Sequence, residues 1–196
     1  MNEEEKLKTF EKELKFILNP SIKKFAEEAL KTLPDYFFRV PASASLKYHN
    51  KYALGEGGLV KHVRACMRVA VDLYRTHLFD WMNSDQKDLV LVSLLLHDGY
   101  KQGDGSTGYT VAKHPIIAKF AILENESLKS IIPDEWVVLI GENIATHSGK
   151  WVQDYKTKEV VLDMPKTKMQ NAVHLFDYIA SRRQIEINFD VEIERE

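Results

Sequence analysis

The sequence predicts an all-α helical bundle with a small β-hairpin and a C-terminal strand attached to it. Apolar residues recur at helical spacing along most of the chain, and the run 89–96 is apolar almost throughout. The chain has 196 residues, of which 44% are hydrophobic, so it can form one substantial core. We therefore predict a single domain over residues 1–196.

The first two predicted helices are amphipathic and cover residues 3–18 and 21–33, with Asn19-Pro20 between them. We expect residues 1–34 to cover the core. A loop over 36–56 then leads into a long amphipathic helix. The remaining helices are predicted over residues 59–78, from the N-cap candidate Ser84 to Gly99, and over residues 115–124, 133–147 and 165–183.

Two regions have the residue patterns of β structure. Residues 151–155 and 159–162 flank the polar stretch 156–158, which predicts a short hairpin. In the tail, residues 184–196, apolar residues alternate with polar ones, which predicts a strand. The alternating apolar residues are Ile185, Ile187, Phe189, Val191 and Ile193.

Composition limits the partners and the compartment. A net charge of −2 and a pI near 6.4 argue against bulk electrostatic binding of long duplex nucleic acid. Cys66 is the single cysteine, which excludes an intramolecular disulfide and suits a reducing cytosol. The first segment does not resemble a signal peptide, and no apolar run reaches the ~18 residues of a membrane span. We expect a soluble cytoplasmic protein without membrane contacts, and homo-oligomer formation stays open.

The apolar run 89–96 ends in the pair His97-Asp98. A helix that is apolar nearly all round is buried, so this pair is expected inside the protein. A buried carboxylate without a partner is strongly unfavourable. A divalent metal ion would compensate both groups, which makes other histidine and acidic residues candidate ligands.

Four further candidate ligands stand at helix ends or on apolar helix faces, spaced so that each can come from a different helix. Imidazoles and carboxylates suit Zn, Fe, Mn or Ni better than Ca, and the lack of cysteine ligands favours a catalytic site. With the His97-Asp98 pair there are six ligands, which would fit two ions bridged by Asp98. His114 could also be a surface residue, and His147 a C-cap residue facing the helix dipole. The four further candidates are His62, His114, His147 and Asp177.

Residues 56–62, 94–101, 144–149 and 174–182 resemble the signature segments of the HD-domain superfamily of metal-dependent phosphohydrolases. The resemblance extends over about residues 55–183 and implies an HD-type metal-binding core. Many members have His-Asp-Ile-Gly-Lys, whereas this chain has His-Asp-Gly-Tyr-Lys. The resemblance implies that His62, His97, Asp98 and Asp177 hold a first ion, and that His114 and His147 hold a second with Asp98 as the bridge.

The same resemblance implies hydrolysis of a phosphate ester in a nucleotide or short oligonucleotide by a metal-activated hydroxide. Asp98 and Lys101 would then be catalytic, with Lys101 also binding the phosphoryl group. Arg182 and Arg183 are candidate substrate-binding residues because guanidinium matches phosphate, although arginines in a last helical turn also complement the helix dipole. We expect a divalent metal cofactor with two ions, drawn from Mn, Fe, Ni, Co, Zn and Mg.

Several alternatives remain. A nucleotidase or triphosphohydrolase competes with a 3′ to 5′ exonuclease or a cyclic-dinucleotide phosphodiesterase. An HD-type di-iron oxygenase would use the same ligand pattern, and a non-catalytic regulatory module could keep the fold. Lys101 argues against the oxygenase, and the complete ligand set argues against the regulatory module.

Other residues near these motifs have less specific interpretations. The glycine-rich stretch 99–109 is expected to be a mobile loop where substrate enters. His174 could orient a ligand or be an ordinary helix residue. Packing roles are favoured over base-stacking roles for Trp151, Tyr155 and Phe176, and His49 and His77 are expected at the surface.

Overall fold

The computed structural model describes residues 1–43 and 50–195. All regular secondary-structure elements assigned within these ranges are helical. The all-α prediction is therefore confirmed for the described residues. Part of the predicted loop 36–56, including His49, lies outside them. The α-helices are α1 (Glu3–Thr9), α2 (Glu11–Leu14), α3 (Pro20–Thr32), α4 (Gly58–Tyr74), α5 (Ser84–Leu96), α6 (His114–Leu123), α7 (Glu126–Lys129), α8 (Asp134–Ala145) and α9 (Lys168–Ala180), and short 3-10 turns lie at Asp35–Phe38, Lys51–Ala53 and His77–Phe79.

Helix α5 is the centre of the fold. Its side chains are buried from Asp88 to Leu96, and it packs against α3, α4, α8 and α9. A helix surrounded in this way has no polar face. Asn83 caps its start by accepting from the backbone N–H of Gln86, so the predicted cap Ser84 is the first helical residue instead.

Helix α4 carries His62 and begins where the backbone is tightly packed. A side chain at Gly58 would place its Cβ 2.2 Å from the carbonyl oxygen of Ala53, so only glycine fits there. The helix ends at Tyr74, before the predicted end at residue 78. Because α4 packs on α9 and α6 on α8, the helices with the candidate ligands are gathered near the end of α5.

The N-terminal segment differs from the predicted single helix over 3–18. It divides at Phe10, which ends α1 and precedes α2. Phe10 is fully buried, and its ring is stacked on that of Phe37 with 6.1 Å between the centroids. The break between α1 and α2 lets the Phe10 ring point into the core, and the two short helices lie over that part of the core.

The predicted β-hairpin over residues 151–162 is not formed. A single antiparallel bridge between Gln153 and Val160 takes its place. The Asp154 carboxylate accepts hydrogen bonds from two backbone N–H groups at 2.7 and 3.0 Å, which closes a turn. A two-stranded hairpin needs an apolar face packed on a core, and Val160 is exposed instead.

The predicted strand in the tail 184–196 is also absent from the part that the structure describes, which ends at residue 195. The tail runs along the helices, where Arg68 donates to the carbonyl oxygen of Val191 at 2.8 Å. Phe189 packs edge-on against Tyr52, with 5.3 Å between the ring centroids. A strand needs the edge of another strand for its backbone hydrogen bonds, and helices offer no such edge.

The last helix is shorter than predicted. It ends at Ala180, so Arg182 and Arg183 follow α9 rather than belong to it. The short helix α7 was not among the predicted elements. In residues 1–43 and 50–195, no helix is long and apolar enough to cross a membrane.

Candidate metal centre

Five parts of the chain converge on one cluster of histidine and aspartate side chains, which are the six predicted ligands. Five of the six residues are buried, and the side chain of Asp177 is 19% exposed. Elements distant in sequence therefore meet at the buried end of α5. His62 comes from α4, His97 and Asp98 from the end of α5, His114 from the start of α6, His147 from the segment after α8, and Asp177 from α9.

The two carboxylate oxygens of Asp98 face different partners. Oδ2 lies 3.6 Å from Nε2 of His97 and 3.9 Å from Nε2 of His62. Oδ1 lies 3.0 Å from Nε2 of His114 and 3.7 Å from Nε2 of His147. Asp98 therefore stands between two pairs of imidazoles.

Asp177 closes the side of the cluster that contains His62 and His97. Its Oδ1 lies 3.0 Å from Nε2 of His62 and 3.7 Å from Nε2 of His97. Two ligands bound to one metal ion at about 2.0–2.2 Å are about 3–3.5 Å apart, so these separations are close to those of groups that share an ion. Two sets of ligand atoms lie within 4.8 Å of one another: His62, Cys66, His97 and Asp177, and His97, Asp98 and His147.

Three of the imidazole rings are oriented by backbone hydrogen bonds. His97, His114 and His147 each donate from Nδ1 to the carbonyl oxygen three residues earlier, over 2.7, 2.7 and 2.8 Å. With the proton held on Nδ1, Nε2 of a neutral ring presents a lone pair to the centre of the cluster. Metal-binding histidines are commonly fixed in this way.

The cluster contains buried acceptors that the protein does not satisfy. Among the described residues, four buried side-chain atoms lack a hydrogen-bond partner, and Nε2 of His97, Nε2 of His114 and Oδ1 of Asp98 are three of them. Burying an acceptor without a partner is unfavourable. With its proton on Nδ1, His114 would place the lone pair of Nε2 3.0 Å from Oδ1 of Asp98. A cation between them would satisfy both atoms, so these buried groups can hold a metal ion.

Electrostatic interactions keep both carboxylates ionised. Burial would raise the pKa of Asp98, but the ammonium of Lys101 is the largest opposing influence, and the pKa of Asp98 lies well below its usual range. Burial also opposes the ionisation of Asp177, but the hydrogen bond with His62 is the largest opposing influence, and the pKa of Asp177 lies below its usual value. Both carboxylates are therefore in the form that binds a cation.

Burial has the opposite effect on the charge of the imidazoles. It lowers the pKa of His147 to about 3, and it also lowers the pKa of His97. A histidine must be neutral to bind a metal ion. Because these two rings are already neutral near neutral pH, they can bind one without first losing a proton.

Lys101 belongs to the loop that follows the His97-Asp98 pair. Its ammonium lies 2.5 Å from Oδ2 of Asp98. The hydroxyl of Tyr36 donates to the carbonyl oxygen of Gly103 at 2.9 Å and accepts from the backbone N–H of Gln102 at 3.2 Å. Because burial raises the pKa of Tyr36 to about 12, this hydroxyl stays protonated and ties the loop to the N-terminal region.

A cleft of about 550 Å³ opens onto the cluster. Lys101 and Arg182 both line it, and the guanidinium of Arg182 lies 4.1 Å from the ring centroid of Tyr178. Arg183 is exposed and is not among the lining residues. Of the two arginines predicted to contact substrate, one is therefore at the cleft.

Two aromatic residues have positions that the sequence did not predict. Trp151 and Tyr155, for which the sequence favours packing over base stacking, line the cleft and are 52% and 87% exposed. Phe176 is fully buried beside Tyr74 and Phe79, which confirms its packing role. The available signal was the polar sequence around the first two, which lacks helical periodicity.

His174 positions the backbone next to a candidate ligand. Its Nδ1 donates to the carbonyl oxygen of His147 at 2.8 Å. Gly149 has φ +62°, and a Cβ at this residue would lie 2.2 Å from the His174 ring. The sequence left open whether His174 orients a ligand. In the structure it contacts the main chain of the candidate ligand His147 rather than its side chain. His77 is exposed, as predicted.

No protein-family model, curated protein or solved structure matches the chain. The resemblance of its motifs to the HD-domain superfamily therefore stays a prediction. The candidate metal centre rests on the residues and distances of this chain.

Proposed function

We propose that this protein is an HD-type, divalent-metal-dependent phosphohydrolase that cleaves a phosphate ester of a nucleotide or short oligonucleotide. The observation that carries the proposal is the buried carboxylate of Asp98, whose two oxygens face two separate pairs of imidazoles. A carboxylate between two ligand groups fits the bridging ligand of a two-metal site.

The donor atoms also bear on the metal. Imidazole nitrogens with carboxylate oxygens suit Zn, Fe, Mn, Ni or Co better than Mg, which prefers oxygen ligands. The second ligand group has fewer protein ligands, which leaves positions for water and substrate, as a catalytic site requires. The first ion would be held by His62, His97, Asp177 and Oδ2 of Asp98, and the second by His114, His147 and Oδ1 of Asp98.

When bound, the ions would supply Lewis-acid polarisation of the phosphate and a lowered pKa for the attacking water. The ammonium of Lys101, beside Asp98 at the cleft, would neutralise charge on the phosphoryl oxygens. Arg182 lines the same cleft and would hold phosphate oxygens with its guanidinium. These two cations would orient the ester toward the cluster.

A second cleft bears on the substrate. It has a volume of about 510 Å³ and shares five lining residues with the first, namely Thr110, His114, Ser148, Trp151 and Tyr155. Two adjoining clefts favour a substrate with more than one nucleotide, as a 3′ to 5′ exonuclease or cyclic-dinucleotide phosphodiesterase would bind. A di-iron oxygenase would use the same ligands, but Lys101 and Arg182 favour an anionic substrate.

A substrate screen tests the proposed function. Metal-stripped protein is supplied with Mn, Ni, Co, Zn or Mg and assayed on nucleoside mono-, di- and triphosphates, cyclic dinucleotides and short single strands. We expect hydrolysis of at least one of these with metal, and none with chelator. Asp98→Asn should slow the hydrolysis more than ~100-fold. Substitution of a residue that only orients a metal ligand slows a reaction by at most about 100-fold.

Asp163→Asn is the matched control, because Asp163 is exposed and does not line the cleft. It should keep the wild-type rate. Wild-type hydrolysis by Asp98→Asn would overturn the proposal. Oxygen uptake with a mixed-valent di-iron signal and no hydrolysis would favour the oxygenase.

A further inference from the structure

Three aromatic side chains line the cleft beside the metal cluster. Trp151, Tyr155 and Tyr178 are 52%, 87% and 38% exposed. Single exposed apolar residues are ordinary, but a group of them around one concave site marks a binding surface. We call these three residues the aromatic platform.

Part of the platform is already stacked. The rings of Trp151 and Tyr178 are 14° from parallel, with 5.9 Å between their centroids. The guanidinium of Arg182 lies 4.1 Å from the centroid of the Tyr178 ring, so Tyr178 contacts both a cation and an indole. Trp151 also contacts His174, with 6.0 Å between the rings, and His174 holds the backbone of His147. The platform is therefore fixed by a residue that also positions a candidate metal ligand.

Tyr155 is carried by the turn that replaces the predicted hairpin. The backbone N–H of Lys158 donates to the carbonyl oxygen of Asp154 at 2.9 Å, which closes the turn. The ammonium of Lys158 lies 4.3 Å from the centroid of the Tyr155 ring. Tyr155 and Trp151 line both clefts, so they are the aromatic part of the wall that the two clefts share.

We propose that the aromatic platform is a nucleobase-binding subsite that selects nucleotide substrates for the metal centre. This inference rests on the proposed phosphohydrolase function, because the base must be joined to the ester that the metal centre cleaves. Indole and phenol faces stack on every base and discriminate little between them. Arg182 and Lys156, which line the two clefts, supply positive charge for the attached phosphates. A site that combines an aromatic surface with nearby positive charge matches a nucleotide, which joins a flat base to a phosphate.

Binding of a fluorescent base tests the subsite without any turnover. The probes are 2-aminopurine riboside and a trinucleotide that ends in 2-aminopurine and has uncleavable methylphosphonate links. Stacking quenches 2-aminopurine, so we expect saturable quenching by the purified protein. Tighter binding of the riboside would indicate a mononucleotide as the source of the base, and tighter binding of the trinucleotide a strand end.

Substitutions at Trp151 connect the quenching to the platform. Trp151→Ala should weaken binding about 10-fold, within the range that one stacked aromatic contributes. Trp151→Phe keeps an aromatic face and should restore most of the affinity. Trp81→Ala is the control, because Trp81 is 38% exposed but does not line either cleft, and it should bind as the wild type does.

Steady-state kinetics separates failure of the subsite from failure of the proposed function. Trp151→Ala should raise KM about 10-fold for the nucleotide found in the screen and change kcat little. It should raise KM much less for the corresponding methyl phosphate ester, which has no base, and Trp81→Ala should leave both KM values unchanged. If the wild type hydrolyses neither, the proposed function fails, and the quenching still decides the subsite. Wild-type quenching and KM in Trp151→Ala would overturn the subsite.

Discussion

Two pairs of carboxylates in this fold are compensated in different ways. The first pair, Glu13 and Asp88, is fully buried and bound to arginines. Glu13 accepts from Arg64 at 3.0 Å and Arg68 at 2.9 Å, and Asp88 is paired with Arg195. Here the charge is balanced by cations of the chain itself, so the network needs nothing from outside.

The second pair, Asp98 and Asp177, is surrounded mainly by imidazoles, three of which have Nδ1 bound to a backbone carbonyl oxygen. Lys101 is the cation in hydrogen-bond contact with Asp98, and Oδ1 of the same carboxylate has no hydrogen-bond partner. The charges of the first arrangement are balanced within the chain, whereas the second leaves a buried acceptor that a metal ion could satisfy. The contrast between the two pairs is therefore in which buried acceptors have a partner in the chain.

The largest expected effect is on stability. In chelator, Asp88→Asn should lower the free energy of unfolding by about 3–5 kcal/mol, because it leaves Arg195 buried without its carboxylate. Asp98→Asn should cost less than about 2 kcal/mol there, because Lys101 can turn into the cleft. Metal at 100 times Kd should stabilise the wild type by about 2.7 kcal/mol more than Asp98→Asn. It should stabilise the wild type and Asp88→Asn equally. Urea unfolding measures both.

The exposed pair of Asp163 and Lys166 provides the control for these two substitutions. Asp163→Asn should change the free energy of unfolding by less than about 1 kcal/mol. If metal stabilises Asp98→Asn as much as the wild type, Asp98 is not a ligand. A metal-dependent cost at Asp88 would show that the two pairs do not differ.

The next effect is on pH dependence without metal. Burial lowers the pKa of His147 from 6.5 to about 3, so between these values the unfolded chain binds more protons than the folded one. The free energy of unfolding should therefore fall as the pH falls below 6.5, by up to about 1.4 kcal/mol per pH unit from this residue. Urea unfolding in chelator at several pH values measures the slope. His147→Gln should flatten it, and an unchanged slope would contradict a buried neutral ring.

The smallest expected effect is at the edge of the cluster. His174→Ala removes the hydrogen bond to the carbonyl oxygen of His147 and should weaken metal binding about 10-fold, as loss of an orienting partner does. His174→Asn can still donate near that carbonyl and should recover part of the affinity. Calorimetric titration with Mn or Zn measures it. Equal loss in both variants would assign His174 a packing role only.

The candidate ligands could be predicted from the sequence because their residue types conflict with their surroundings. His97 and Asp98 follow a helix with no polar face, and His62 lies on the apolar side of α4. Which oxygen of Asp98 faces which ring could not be predicted. That depends on how four helices pack around α5, which spacing along the chain does not determine.

The errors have a related cause. The alternation of apolar and polar residues in the tail correctly indicates that side chains such as Phe189 face the core. It does not indicate whether another strand lies beside the tail. The residue type of Trp151 favours burial, but its exposure depends on whether neighbouring segments cover it. Both features depend on partners distant in sequence.

Metal content tests the central claim most directly. Metal analysis of the purified protein, followed by titration of the stripped protein with Mn or Zn, should give about two ions per chain for the wild type and one or fewer for Asp98→Asn. Chelator should lower the thermal stability of the wild type. Fewer than ~0.5 ions per chain, together with a stability that chelators do not change, would contradict the metal centre.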